Sequence, residues 1–229
     1  MSYALSNAAT KTAHWTQPAA PEEAMKAIGS VTHVRRHETI FNEGDDAHYS
    51  YKVVSGAVRL SKVMLDGRRQ IADFALTGDI FGLDWSDDYA VTAEALSDVT
   101  LVRYTRSSLT RLGEEQASVR NKLSDALRRD LWAAQNHLVM LGCQTARERV
   151  ASFLMLFVKR SNARNGDVFD LPMGRQDIAD YLGLTIETVC RTLSDFKQEK
   201  LVTTPSRQQI IVHNIAAMRA IAQGDSDDE

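Results

Sequence analysis

The sequence predicts an α+β protein with three parts, a β-barrel, a long helix and a C-terminal winged helix-turn-helix. Short apolar runs separated by Gly and Asp turns between residues 31 and 109 predict the barrel. Helical periodicity then predicts the long helix, and two short helical patterns around Gly183 predict the helix-turn-helix. The predicted segments are a flexible N-terminus at 1–22, the barrel at 23–108, the long helix at 109–142, the helix-turn-helix domain at 143–224 and an acidic tail at 225–229.

The composition is that of a globular chain long enough for one large or two ordinary domains. The 229 residues are 44% hydrophobic and 25% charged, and the net charge is −3. This charge is uneven, since Thr145–Gly224 holds 11 Lys/Arg against 8 Asp/Glu and the last five residues hold four acids and no base. A mildly basic C-terminal part is consistent with contact to DNA, and the acidic tail is expected to be solvated.

The sequence lacks the residues that several classes of functional site require. Cys143 and Cys190 are far apart and belong to no metal-ligand cluster, so we expect no zinc or iron–sulfur site, and a reducing cytosol as the compartment. No apolar run approaches the roughly 18 residues of a membrane helix, and no catalytic triad, acid pair or phosphate loop indicates an enzyme. Haem is less firmly excluded, but no pattern selects one of His14, His33, His37, His48, His137 and His213 as a ligand.

Alternating apolar residues and turn signals define the predicted barrel. The alternating apolar residues, as in strands with one buried face, are Val53, Val58, Leu60, Val63, Ile71 and Phe74. Ser-Gly at 55–56 and Asp-Gly at 66–67 predict hairpins. Together they indicate a small antiparallel barrel or sandwich.

The long helix carries an apolar seam with spacings of 4, 3, 4 and 3 residues. A period of 3.5 is what two parallel helices need in order to pack together, so the seam predicts a homodimer. The alternative is a helix buried on its own barrel, because only about two heptads are clean. The predicted seam consists of Leu127, Leu131, Ala134, Leu138 and Leu141.

The helix-turn-helix is predicted between Gly174 and Val202. Thr145 is expected to cap the helix before it, and residues 203–213 predict a β-hairpin beside it, the wing. Gly183 tolerates positive φ and therefore suits the end of the first helix and the sharp turn. Thr185 is expected to cap the second helix, with Glu187 in its first turn, where the helix dipole favours an acid. The second helix of such a motif can enter the major groove of DNA.

One polar face of this second helix holds Glu187, Cys190 and Arg191, at positions i, i+3 and i+4. Arg can bond the O6 and N7 atoms of guanine, and a carboxylate can accept from the N4 of cytosine. The alternative is an ordinary surface Glu–Arg pair, worth about 0.2–0.5 kcal/mol.

From Val31 to Met218 the chain resembles the Crp/Fnr superfamily of bacterial transcription regulators, and within it the FixK-like branch. The resemblance is carried by FNEGDDAHYSYKVVSGAVRL, DGRRQIADFALTGDIFGL, QNHLVMLGCQTARERVASFL and GRQDIADYLGLTIETVCRTL. It implies a jelly-roll barrel of the cyclic-nucleotide-binding type, a dimerisation helix and a homodimer that reads a TTGA-type inverted repeat. It also implies an activator of low-oxygen or nitrogen-fixation genes that works with RNA polymerase in the cytoplasm.

The family motif Glu-x-x-Ser-Arg stands here at Glu187 to Arg191, with Cys190 in place of the commoner Ser. The thiol is similar in size, can touch a thymine methyl and can be oxidised. The resemblance implies base contacts by Ile186, Glu187, Cys190 and Arg191, and backbone contacts by Arg175, Gln176, Thr185 and Thr188.

The resemblance also bears on cofactors. Cyclic-nucleotide relatives have an Arg before a Ser/Thr-Ala pair, but here Val91 precedes Thr92-Ala93, and Val offers a phosphate no charged bond. Iron–sulfur relatives have an N-terminal cysteine group, which this sequence lacks. We therefore expect no cofactor.

Two functions remain open from the sequence. One is an activator controlled by its amount, by partner proteins or by oxidation of Cys190, whose place near Arg191 and a helix N-terminus favours reactivity. For the activator, the alternative is that Cys190 has no redox role and is only a small residue that fits its position on the helix. The other function is a sensor whose barrel binds an unidentified small molecule that gates DNA binding.

Overall fold

The computed structural model describes residues 21–84 and 86–224. Most of the predicted segment 1–22, the tail 225–229 and His14 lie outside the described residues. The helices are α1 Pro21–Ile28, α2 Arg106–Glu115, α3 Ala117–Cys143, α4 Ala146–Ser161, α5 Arg175–Leu182, α6 Ile186–Gln198 and α7 Ile215–Ala222. The strands are β1 Ser30–Val34, β2 Thr39–Phe41, β3 Tyr49–Ser55, β4 Ala57–Val63, β5 Arg69–Leu76, β6 Ile80–Phe81, β7 Thr92–Ala95, β8 Val99–Thr105, β9 Val168–Asp170, β10 Val202–Thr203 and β11 Gln209–Val212.

Strands β1 to β8 form two four-stranded antiparallel sheets, which together with the helices confirm the predicted α+β class. The sheets run β1-β8-β3-β6 and β2-β7-β4-β5. Fully buried residues such as Val53 and Leu101 pack between them. The same interior holds four mutually packed aromatic rings, those of Phe41, Tyr51, Phe81 and Tyr89.

One of the two predicted hairpins is confirmed and the other is wrong. The Asp-Gly turn joins β4 to β5, which pair along their length. The Ser-Gly turn joins β3 to β4, but these strands belong to different sheets. Gly56 has a φ of 91°, and a Cβ there would lie 2.6 Å from the Asp98 backbone oxygen. The glycine therefore lets the chain cross between sheets at a close backbone approach.

The predicted helical stretch after the barrel is divided at Gln116, which is extended, with a φ of −127°. The second piece, α3, is 27 residues long. Its buried residues, on a face that packs within the chain, are Val119, Ala126, His137 and Met140.

The C-terminal part is a winged helix-turn-helix. Thr145 caps α4 as predicted, since its hydroxyl accepts from the Glu148 N–H while the Glu148 carboxylate accepts from the Thr145 N–H. Helices α5 and α6 follow, and the predicted hairpin β10–β11 forms the wing. The sequence did not predict β9, which adds a third strand beside β11.

A shared apolar core joins the barrel to the helix-turn-helix. Phe74 of β5 packs its ring against those of Phe153 and Phe157 of α4 and Tyr181 of α5. The position of α5 is therefore set by the barrel as well as by α4 and α6. Among the described residues, no helix combines the length and the apolar character that crossing a membrane requires.

Candidate DNA-binding interface

The turn between α5 and α6 has the geometry that the sequence predicts. Gly183 is left-handed, with a φ of 62°, and its N–H donates to the Ala179 carbonyl at the end of α5. Thr185 is extended, and its hydroxyl accepts from the Thr188 N–H at 3.2 Å, which caps α6. These two caps fix the direction in which α6 leaves the turn.

The two faces of α6 are sharply different. Val189, Leu193 and Phe196 are buried in the core. Glu187, Cys190 and Arg191 are all exposed on the other side. Ile186 lies between the two faces, half-buried against the core. The structure thus brings three of the four residues predicted to contact bases, Glu187, Cys190 and Arg191, to the exposed side of the N-terminal half of α6, which we call the recognition face, with Ile186 at its edge.

The polar groups on this face have few partners inside the chain. The Arg191 side chain makes no hydrogen bond or ion pair with any described residue. The pKa of Glu187 is lowered from its usual value by its own backbone N–H and by the Thr185 hydroxyl, which favour the charged form of the carboxyl. Glu187 and Arg191 are not within 4 Å as an ion pair, so the alternative of a surface pair is not what the structure shows.

The residues predicted to contact the DNA backbone surround this face. Arg175 is the first residue of α5, and its Nη1 is buried without a hydrogen-bond partner among the described residues. Burial lowers the pKa of Arg175, while the neighbouring Cys190 acts in the opposite direction. Gln176 is exposed and donates to Asp180 at 2.7 Å. Thr185 is exposed and Thr188 is half-buried, and their hydroxyls lie 3.1 Å apart.

A charged joint that the sequence did not reveal connects the barrel to α5. Asp177 accepts from Arg59 of β4 at 2.8 Å and from Arg69 of β5 at 2.9 Å. Arg69 also bonds Asp180 at 2.7 Å, and Arg59 bonds Glu94 at 2.7 Å. The other oxygen of Asp177 accepts from the Gly174 N–H at 3.0 Å and so caps α5.

Arg149 of α4 is a second positioning residue that the sequence did not reveal. Its guanidinium donates to the carbonyls of Leu141, Gln144 and Leu182, at 2.9 to 3.0 Å. Leu141 and Gln144 lie at the end of α3, and Leu182 ends α5. One cation thus satisfies carbonyls at two helix C-termini, where the helix dipoles favour positive charge.

An apolar face of α3 is left uncovered by residues 21–84 and 86–224. Leu127, Leu131 and Leu138 are 49%, 60% and 74% exposed, and Ala134 is exposed beside them. Leu141, the last residue of the predicted seam, is half-buried near Gly183. The three exposed leucines do not pack on their own barrel, which contradicts the alternative of a helix buried there.

Comparison with known proteins decides the family. Residues 31–116 match the cyclic nucleotide-binding domain, and residues 148–221 match the Crp-like helix-turn-helix domain. The nitrogen fixation regulation protein FixK of Azorhizobium caulinodans is 42% identical over 211 residues, which are 90% of this chain and 84% of that protein. FixK of Bradyrhizobium diazoefficiens is 40% identical over 173 residues, 75% of this chain and 73% of that protein. The chain belongs to the Crp/Fnr family.

A solved structure agrees with this membership of the Crp/Fnr family. FixK2 from Bradyrhizobium japonicum superposes with a TM-score of 0.80 at 38% identity, over 85% of this chain and 97% of that one. The chain is therefore a DNA-binding transcription regulator, not an enzyme, as the Crp/Fnr resemblance implied.

Proposed function

We propose that this regulator activates genes of the low-oxygen or nitrogen-fixation type. It binds a TTGA-type inverted repeat as a homodimer, together with RNA polymerase, and requires neither a cyclic nucleotide nor an iron–sulfur cluster. The names of its FixK relatives support the class of genes. The observation that carries the proposal is the exposed face of α6, where Glu187 and Arg191 have no ion-pair partner among the described residues.

This face supports the proposed half-site chemically. A guanidinium without an ion-pair partner on the N-terminal half of a recognition helix can bond the O6 and N7 of guanine, and an exposed carboxylate can accept from cytosine N4. Ile186 and the Cys190 sulfur add apolar surface of the kind that contacts a thymine methyl. The proposed backbone contacts Arg175, Gln176, Thr185 and Thr188 flank this face at the ends of α5 and α6.

The homodimer is supported by the uncovered seam on α3. An inverted repeat needs a two-fold protein, because each half-site is read by one copy. The exposed leucines of α3 are an apolar surface that a second copy of the same helix would bury, with Leu127, Leu131, Ala134, Leu138 and Leu141 as the proposed contacts.

The packing of the barrel supports independence from cyclic nucleotide. Four aromatic rings fill its interior, with the Phe41 and Tyr89 ring centroids 3.6 Å apart. The Thr92 hydroxyl, next to Val91, already accepts from the Glu43 N–H at 3.0 Å. A cyclic phosphate would find no cation at Val91 and a threonine already hydrogen-bonded.

Cys190 gives the proposed regulator a means of responding to oxidants. The thiol is exposed on the recognition face and lies near Arg175. Oxidation to a sulfinate would place a negative charge at the surface that faces phosphates. Cys143 is also exposed, at the end of α3, and is therefore the necessary control.

The second candidate function is a sensor of an unidentified small molecule. An open cavity of about 660 Å³ lies between the barrel, α3 and α4. Its lining combines apolar residues with four acids and four basic residues, among them Asp73 and Arg160. Burial raises the pKa of Asp73, whose carboxylate accepts only from the Phe74 N–H among the described residues. A ligand with a cationic group would complement this carboxylate.

A gel shift on a TTGA inverted repeat, with purified protein and no added ligand, tests the proposal. Specific binding relative to a scrambled repeat is the expected result. Binding that appears only after addition of a cell extract of small molecules would favour the sensor instead.

A further inference from the structure

A basic cleft lies beside the N-terminus of α5 and is not part of the exposed face of α6. Its open volume is about 940 Å³. Three parts of the chain meet there: the turn after β1, the start of α5 with the end of α6, and the wing. The residues that line this basic cleft are Arg36, Gly174, Arg175, Lys197, Thr204, Ser206, Arg207 and Gln208.

The charge of the basic cleft is uncompensated. None of the side chains of Arg36, Arg175, Lys197 and Arg207 forms an ion pair or a hydrogen bond with the residues that the structure describes. By contrast, Arg59 and Arg69, a short distance away in the joint, are each bonded to two carboxylates. Four unpaired cations around one cleft are notable in a protein whose net charge is −3.

The surrounding acids do not cancel this charge. Asp177, at the start of α5, shares its carboxylate between Arg59, Arg69 and the Gly174 N–H. Asp98 accepts from the backbone N–H of Arg36 at 3.0 Å, which holds the turn but leaves the guanidinium free. The positive end of the α5 dipole adds to the potential of the cleft.

The basic cleft continues from the recognition face onto the barrel. Arg175 borders both, because it lines the cleft and interacts with Cys190 of α6. Arg36 belongs to the barrel, and Arg207 to the wing. A line of cations from wing to barrel matches a continuous polyanion better than a single phosphate group, and duplex DNA presents one charge per ~1.7 Å of its axis.

We propose that the basic cleft receives the sugar–phosphate backbone of DNA that flanks the half-site, and that Arg36 makes the barrel part of the DNA-binding surface. This inference rests on the proposed function, since the half-site must place α6 in the major groove. Contacts of this kind set affinity and register without reading sequence. The barrel thereby contributes to DNA binding directly, in addition to positioning α5.

The test uses two duplexes with the full-length protein. The short duplex ends at the outer edges of the inverted repeat, and the long one adds about 10 bp, one helical turn, on each side. Kd is measured over a range of salt for the wild type and for Arg36→Ala. On the long duplex we expect Arg36→Ala to weaken binding about tenfold and to reduce the salt slope by about 2 per dimer, since each lost phosphate contact removes about 0.9. On the short duplex the variant should bind as the wild type does.

Arg35→Ala is the matched control. Arg35 is the neighbouring exposed arginine and does not line the cleft, so its loss removes the same charge from the same turn. It should leave the affinity for both duplexes unchanged. Arg36→Ala acting like Arg35→Ala on the long duplex, or weakening both duplexes equally, would overturn the proposal.

Two further measurements distinguish this proposal from a wrong half-site and from a small phosphorylated ligand. If the wild type does not prefer the repeat to a scrambled duplex, the proposed half-site is wrong, but the Arg36 test is still read on the long scrambled duplex because phosphate contacts are independent of sequence. Inorganic phosphate at matched ionic strength tests a small phosphorylated ligand as the other source of the same chemistry. A rise in Tm with phosphate that Arg36→Ala abolishes, without any effect of flanking DNA, would overturn the assignment to DNA.

Discussion

The joint between the barrel and α5 and the recognition face of α6 are both charged, but their charged side chains differ in burial and in pairing. In the joint, Arg59 and Asp177 have side chains that are only 12% and 11% exposed, and each has two or more partners. On the recognition face, Glu187 and Arg191 are exposed and form no ion pair with any residue in the part of the chain that the structure describes. The charges of the first region are paired within one chain, whereas those of the second are available to a binding partner.

This difference separates structural charges from those available for binding. Both regions belong to the same pair of helices, so the chain fixes α5 through buried ion pairs and leaves the exposed side of α6 open. Substitutions in the joint should therefore change stability, and substitutions on the recognition face should change binding alone.

The largest effect is expected from Asp177→Ala. It removes two charged hydrogen bonds and the cap of α5, and we expect a loss of about 3 kcal/mol in the free energy of unfolding. This loss is at the lower end of the range for a broken buried ion pair, because Arg59 would still bond Glu94 and Arg69 would still bond Asp180. Urea unfolding followed by circular dichroism measures it.

The control for Asp177→Ala is Gln176→Ala, at the exposed neighbouring position. It should change stability by no more than about 0.5 kcal/mol. Equal losses from the two substitutions would show that the joint stabilises the fold no more than the surface does.

The exposed seam of α3 extends the comparison to apolar groups without partners. Leu138→Asp should leave the fold of a single chain intact, since Leu138 is 74% exposed there. In a dimer the new charge would be buried without a partner, so we expect a monomer in analytical ultracentrifugation. Losing the second half-site contact should lower affinity for the palindrome by at least about 10²-fold.

The control for this prediction is Asn136→Asp, two residues away on another side of α3. Asn136 is exposed, and its amide donates to the Trp132 carbonyl. This variant should remain dimeric. A dimeric Leu138→Asp would show that the proposed seam does not hold the two copies together.

How much the sequence could predict depends on how far apart the interacting residues lie along the chain. The caps formed by Thr145, Gly183 and Thr185 join residues a few positions apart, and local patterns predicted all three. The bond from Arg59 to Asp177 spans 118 positions, and no local pattern indicates it. The Ser-Gly turn predicted a bend correctly but not its strand partners, because turn residues report backbone conformation and not which sheet follows.

On the recognition face, Arg191→Ala should weaken the free energy of DNA binding by about 1–3 kcal/mol, because a bidentate contact to guanine is lost. It should also reduce the sequence preference at that base pair. Arg175→Ala should instead weaken binding to all sequences and reduce the salt slope. Both variants are measured on the matched half-site and on one with that guanine replaced. Equal loss of discrimination in the two variants would contradict the assignment of base reader and backbone contact.

The smallest effect is expected from Cys190→Ser, and it makes the sharpest test of the recognition face. The hydroxyl has nearly the volume of the thiol and restores the residue commoner in the family, so reduced protein should bind DNA as the wild type does, within about 0.5 kcal/mol. Peroxide should abolish DNA binding by the wild type without unfolding it, because an oxidised, negatively charged sulfur would face the phosphates. Cys190→Ser should resist peroxide, whereas Cys190→Asp should fail to bind even when reduced.

Cys143→Ser completes this test, because Cys143 is the other exposed thiol and lies on a different helix, at the end of α3. Cys143→Ser should remain as sensitive to peroxide as the wild type. Circular dichroism before and after oxidation checks that the fold is retained. If Cys190→Ser loses DNA binding to peroxide as readily as the wild type, the oxidation acts at another site. The exposed thiol would then be a contact surface on α6 and not a switch.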